Sequence, residues 1–178
     1  RMVWDRWGLP TFNFKGQMGI PMEMSLSKYK ETYYLEANPV KEIENIYKTT
    51  KIYNNVNITA EAMFKENLMC SAQLIKIKSE FIEKGNLTIS VFGRSINFDF
   101  GQNKINIGDC AAPISLTDSG LDITILVDKC SIEIFADGGK ICLSCLNNNT
   151  VSDFNIPDLT MQTGESITIK DIEIYSLD

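Results

Sequence analysis

The chain has 178 residues, which at roughly 150 residues per domain is a prior of about one domain, and its 44% hydrophobic and 22% charged residues are ordinary for a soluble globular fold. It has no histidine, which excludes Ser/His/Asp and Cys/His nucleophilic catalysis and every metal site that needs imidazole. Its net charge is −6, and residues 91–178 carry 5 basic against 13 acidic side chains, so neither nucleic acid nor an anionic membrane is expected as a partner.

The start, Arg1-Met2-Val3-Trp4, reads like the interior of a longer protein and carries no signal-peptide pattern. Strand candidates in the first half are 20–26, 30–36, 50–59, 69–80, 86–92, 95–100 and 103–108. Pro21 makes the first of these an edge or strand-start position. Between them, Pro39–Tyr47 reads as a short helix, with Val40, Ile43, Ile46 and Tyr47 at helical spacing and Pro39 at its first position. Period-two alternation is clearest further on. Leu121, Ile123, Ile125 and Val127 face one way and Asp122 and Thr124 the other; Ile132, Ile134 and Ala136 oppose Ser131, Glu133 and Phe135. Asp137-Gly138-Gly139-Lys140 is a turn signal leading to a strand over 141–146, which makes a hairpin. Residues 166–170 and 171–175 alternate with a phase slip at Lys170–Asp171, the mark of a β-bulge. Many short strands, frequent turns and one short helix predict an all-β fold: an antiparallel, lectin-like two-sheet β-sandwich.

Chemistry-bearing groups are sparse. Five cysteines without framework spacing (Cys70, Cys110, Cys130, Cys142, Cys145) point to free thiols, which slightly favour a cytoplasmic location. Cys142-Leu-Ser-Cys145 is a C-x-x-C, but a strand turns positions i and i+3 to opposite faces, so no metal and no cofactor is expected there. The remaining route to catalysis is a carboxylate pair. Glu133 and Asp137 would stand about 13 Å apart along a strand, too far; Asp128 and Glu133 flank a strand start, where acidic residues are solvated or bind backbone amides. Tyr29, Tyr33, Tyr34, Tyr47 and Tyr53 are candidates for stacking on a sugar, against the ordinary reading of core packing. Asn57-Ile-Thr59, Asn86-Leu-Thr88 and Asn148-Asn-Thr150 match the glycosylation triplet by chance in an Asn-rich chain.

Two segments carry a resemblance. Phe14-Lys-Gly-Gln-Met-Gly-Ile-Pro-Met-Glu-Met-Ser-Leu26, followed by Tyr34-Leu-Glu-Ala-Asn-Pro-Val-Lys-Glu-Ile43, is similar to the junction between catalytic domain and C-terminal sandwich in glycoside hydrolase family 32. That is the family of invertases, levanases, inulinases and sucrose-6-phosphate hydrolases. Ile125-Leu-Val-Asp-Lys-Cys-Ser-Ile-Glu-Ile-Phe-Ala-Asp-Gly-Gly139 resembles the family's Asp-x-Ser-x-Glu-Val-Phe-x-Asn-Gly-Gly signature. Trp4-Asp5 and Leu9-Pro10-Thr11 resemble the end of the last propeller blade. The family's Pro-Arg-Glu reads Pro21-Met22-Glu23 here, and its Arg-Gly reads Lys15-Gly16, so an arginine contact at the junction is missing or rebuilt.

The family's catalytic motifs, Trp-x-Asn-Asp-Pro, Arg-Asp-Pro and Glu-Cys, do not occur. The resemblance therefore implies a non-catalytic sandwich module, residues 19–178, preceded by a propeller remnant and linker, residues 1–18. It implies no catalytic residue, no metal and no cofactor in this chain. Trp4 and Asp5 would edge the fructose pocket of a parent that hydrolyses fructosyl bonds of sucrose, sucrose-6-phosphate, levan or inulin. The implied partner is the five-bladed catalytic propeller of the same protein; a fructose-containing carbohydrate and a second copy of the chain are further candidates, and a parent with a signal peptide would be secreted. The alternative is a lectin-like carbohydrate-binding module.

Overall fold

The structure, a computed structural model, describes residues 2–3, 17–68, 72–80, 82, 84–114, 120–128, 131–146 and 158–177. Two six-stranded antiparallel sheets face each other. The first contains β6 (Phe64–Glu66), β8 (Asn86–Val91), β9 (Arg94–Asp99), β10 (Lys104–Ile107), β11 (Cys110–Pro113) and β15 (Leu159–Thr163), in the order β11-β10-β9-β8-β15-β6. The second contains β5 (Tyr47–Ile58), β7 (Gln73–Ser79), β12 (Asp122–Val127), β13 (Ser131–Ala136), β14 (Ile141–Leu146) and β16 (Ile167–Leu177), in the order β14-β13-β12-β7-β16-β5. The expected two-sheet sandwich is present.

Alternation places the core. Ile75, Ile77, Ile123, Ile125, Ile132, Ile134, Ile172 and Ile174 from one sheet meet Leu87, Ile89, Ile96, Phe98, Ile105 and Met161 from the other. Each such side chain stabilises the fold by about 1.5–3 kcal/mol on burial. The register shift between Ile169 and Asp171, where β16 pairs with β7, is the bulge expected at Lys170.

Two further strand pairs lie outside the sandwich: β1 (Met2–Val3) with β2 (Gln17–Met18), and the ribbon β3 (Met22–Tyr29) with β4 (Thr32–Pro39). The expected helix over 39–47 is a single 3-10 segment, Lys41–Ile46, with Val40 extended as its cap. Pro39 closes β4 instead of opening the helix. Ile43 is buried while Ile46 is 58% exposed, so one short 3-10 stretch seats a single anchor rather than a helical stripe.

Candidate interdomain interface

Sequence alternation assigns Ile132, Ile134 and Ala136 of β13 to the core, and the structure buries them there. It also buries the opposite side: Ser131, Glu133 and Phe135 are 6%, 4% and 2% exposed. The cause is a second layer on the outer face of the sheet. Phe135, Leu74, Leu126 and Ile43 form a second apolar cluster, against which Ile20, Met22, Val40 and Tyr47 pack. Chain entering the sandwich therefore lies across the back of β13, β12 and β7.

Polar contacts fix that layer. The Ile20 N–H donates to Glu133, 3.0 Å from Oε1 and 3.3 Å from Oε2. A buried carboxylate needs such donors, because an unpaired one would cost several kcal/mol. The Val40 N–H donates to the Pro21 carbonyl at 3.1 Å. Asn38 Nδ2 donates to the Gly138 carbonyl at 3.0 Å. Gly139, at φ +91°, sits so close that a Cβ there would stand 2.5 Å from Asn38 Nδ2. Lys140 lies 5.1 Å from the centre of the Tyr34 ring and 3.2 Å from Asp137 Oδ1. The two motif segments, 100 residues apart in the chain, thus meet in space: Glu133, Gly138, Gly139 and Lys140 hold Ile20, Asn38 and Tyr34.

The ribbon so anchored presents a second face. Directly paired residues share a side, so Met24 with Ala37, Leu26 with Leu35 and Lys28 with Tyr33 line one face. On it Met24, Leu26, Leu35 and Tyr33 are 54%, 68%, 61% and 64% exposed. Asn38 and Tyr34, which hold the sandwich, lie on the other side; Met22, at the base of the first side, packs on the second cluster, so only the outer part of that side faces solvent. A two-stranded ribbon is marginal by itself, and this one turns its larger apolar side chains to solvent. Contiguous exposed apolar surface of this kind marks an interaction site.

The other candidates separate. Asp128 is exposed, with its N–H donating to the Ser131 carbonyl at 2.9 Å, while Glu133 is buried under Ile20. The two carboxylates have different surroundings. Cys142 packs in the second cluster, its Sγ 3.7 Å from Met22 Sδ, whereas Cys145 packs on the main core, so the two sulfurs point to opposite faces. Of the tyrosines, Tyr29 and Tyr33 are exposed at the ribbon tip, while Tyr34 and Tyr47 are held against the sandwich. Tyr53 packs edge-on against Phe64 at 5.1 Å. Trp4 and Asp5 lie outside the described residues, as do Cys70 and Cys130.

A second polar cluster was not visible in the sequence. Lys51 Nζ lies 2.6 Å from Glu66 Oε1, and the Tyr53 hydroxyl donates to Glu66 Oε2. β5 and β6 are edge strands of opposite sheets, so the cluster ties the sandwich along one open side. The Glu66 hydrogen bond and burial push the Tyr53 hydroxyl up to about 12. Burial pushes the Glu66 carboxyl up, but the Lys51 and Tyr53 hydrogen bonds outweigh it and hold Glu66 below its ordinary range.

The family model described as "Glycosyl hydrolases family 32 C terminal" matches residues 88–176. The levanase of Bacillus subtilis (strain 168) is 23% identical over 215 residues, covering 99% of this chain and 31% of the levanase. Among solved structures, the exo-inulinase of Aspergillus awamori superposes with a TM-score of 0.71 at 16% identity, over 95% of this chain and 37% of that one. The fructofuranosidase of Schwanniomyces occidentalis complexed with fructose gives 0.70 at 17% identity, over 93% and 42%. The fructan 1-exohydrolase IIa of Cichorium intybus gives 0.68 at 14%, over 87% and 40%. At such identities these likenesses establish the fold, and the chain spans well under half the length of each of these proteins.

Proposed function

The chain belongs to the C-terminal domain family of glycosyl hydrolases family 32, and from that premise we propose that it is the sandwich module against which a catalytic propeller of the same protein packs. The observation that carries this is the ribbon: its base is fixed by Glu133 and Asn38, while Met24, Leu26, Tyr33 and Leu35 face outward. Interfaces between domains of one chain bury roughly 600–1,500 Å², and an outward apolar face on an anchored support suits that role.

In this reading the parent is a β-fructofuranosidase-like enzyme acting on fructosyl bonds of sucrose, sucrose-6-phosphate, levan or inulin. The sandwich supplies no catalytic group and stabilises the propeller that does. Residues 1–18 are the end of the last blade and the linker, residues 19–178 the sandwich, and Trp4 and Asp5 stand at the edge of the parent's pocket.

The test compares matched surface substitutions in the full-length parent. L26D combined with L35D is expected to lower its melting temperature or its yield of folded enzyme. I52D, at a residue 58% exposed on β5, is the control and is expected to have little effect. Equal stability of all three proteins would show that the ribbon face is not covered in the parent.

A further inference from the structure

On one side of the sandwich the edge strands of the two sheets, β11 and β14, come together, some of their Cα atoms within 8 Å. Ile141, Leu143 and Cys145 of β14 all pack on the main core, so β14 presents its odd-numbered side chains inward. On β11 it is Ala112 that packs on the same core. Cys110, two residues earlier in the same strand, shares that side and is exposed to solvent. A third group arrives from β9. Arg94 stands two residues before core-facing Ile96, and its Nε is buried without a hydrogen-bond partner. Arg94 and Cys110 both act on Cys145: burial pushes its thiol up, the guanidinium pulls it down, and the Cys110 sulfur pushes it up. One corner therefore holds an accessible thiol, a sheltered thiol and a cation that lacks a full set of partners.

We propose that Cys110 and Cys145 are an oxidisable pair whose disulfide bridges the two sheets across this edge. A disulfide spans roughly 4.4–6.8 Å between Cα atoms; the two edge strands approach with Cα atoms within 8 Å, and the adjustment closure needs falls on β11, an edge strand of four residues. The oxidant is a low-molecular-weight disulfide, R–S–S–R. The Cys110 thiolate attacks one of its sulfurs; that S–S bond breaks, a Cys110–S–S–R bond forms and one thiolate leaves. The Cys145 thiolate then attacks the Cys110 sulfur, the second RS⁻ leaves and the protein disulfide forms. Two electrons pass from the protein to the oxidant, and the two protons released end on the two RSH molecules. Arg94 favours the Cys145 thiolate against the burial that opposes it. Cys142 is no competitor for the bridge, since it faces the ribbon on the other side of the sheet.

The experiment incubates the purified chain with oxidised glutathione, alkylates remaining thiols, digests without reduction and maps linked peptides by mass spectrometry. The expected product joins the Cys110 and Cys145 peptides, two hydrogens lighter than their sum. Oxidation is expected to raise the melting temperature by roughly 5–15 °C in the wild type and to leave it unchanged in C110S and C145S. R94Q should slow closure by roughly threefold or more, and R94K should recover the rate because it keeps the charge. Glutathione left on Cys110, a dominant link from Cys110 to another cysteine, or two thiols that stay alkylatable would each overturn the proposal.

Discussion

Glu133 shows what local rules leave open at a single residue. Alternation assigns it to the side of β13 away from the core, where an acidic residue reads as solvated or as a partner of backbone amides. The structure selects the second: Glu133 is 4% exposed and accepts the Ile20 N–H. Nothing local carries that information, because the amide it binds is 113 residues away. Replacing Glu133 with Ala should cost about 1–3 kcal/mol by leaving that donor buried and unpaired; Gln, which keeps an acceptor oxygen, should cost less. Urea unfolding of the three proteins measures both.

Glu66 and Tyr53 give a pH signature with two signs. The folded Glu66 carboxyl titrates below its ordinary value of 4.5, so its contribution to stability is present above that value and lost as pH falls through the folded one. Tyr53 is raised from 10.0 to about 12, so its contribution is present below pH 10 and lost as pH rises toward 12. In E66Q the tyrosine should return toward 10, read as earlier tyrosinate absorbance in a spectrophotometric titration. An unchanged titration in that variant would contradict the Tyr53–Glu66 contact.

Elements with strong period-two patterning were legible in the sequence. The strands over 121–127, 131–136 and 141–146, the turn at 137–140 and the bulge at Lys170 all appear where the pattern put them. β15 went unrecognised although Leu159 and Met161 alternate with Thr160 and Gln162. β11 is shorter still and ends on Pro113. The helix over 39–47 became one 3-10 segment because β4 runs through Pro39 and β5 starts at Tyr47, leaving seven residues between two strands. The candidate interface was half legible: the motif segments were visible, their contact was not. That contact is tested at the Gly138–Gly139 turn. Gly139→Ala combines a left-handed φ of +91° with the close approach to Asn38 and should cost about 1–3 kcal/mol. Adding Asn38→Ala removes the approach but not the φ strain. The double variant should therefore lose less than the two single losses added together.

For the whole molecule, the outward ribbon face predicts behaviour in solution. The chain alone is expected to release no fructose from sucrose, levan or inulin, measured as reducing sugar. It is also expected to self-associate, since Met24, Leu26, Tyr33 and Leu35 face solvent together. L26D with L35D should shift its light-scattering mass toward the monomer while leaving the sandwich's melting transition in place. A wild-type chain that is already monomeric at high concentration would argue that the ribbon face is too small to hold a partner.

Sheet order has a consequence for synthesis. β16 sits between β5 and β7, two strands that leave the ribosome long before it. At about 5–20 residues per second, the stretch separating β5 from β16 takes roughly 5–20 s to translate. Throughout that interval Ile58, Ile75 and Ile77 belong to strands whose shared neighbour does not yet exist. Nascent chains are then exposed to mispairing and are natural clients for chaperones. A chain stopped after Ser166 should stay in that condition permanently and be recovered as aggregate, however well its first sheet is formed.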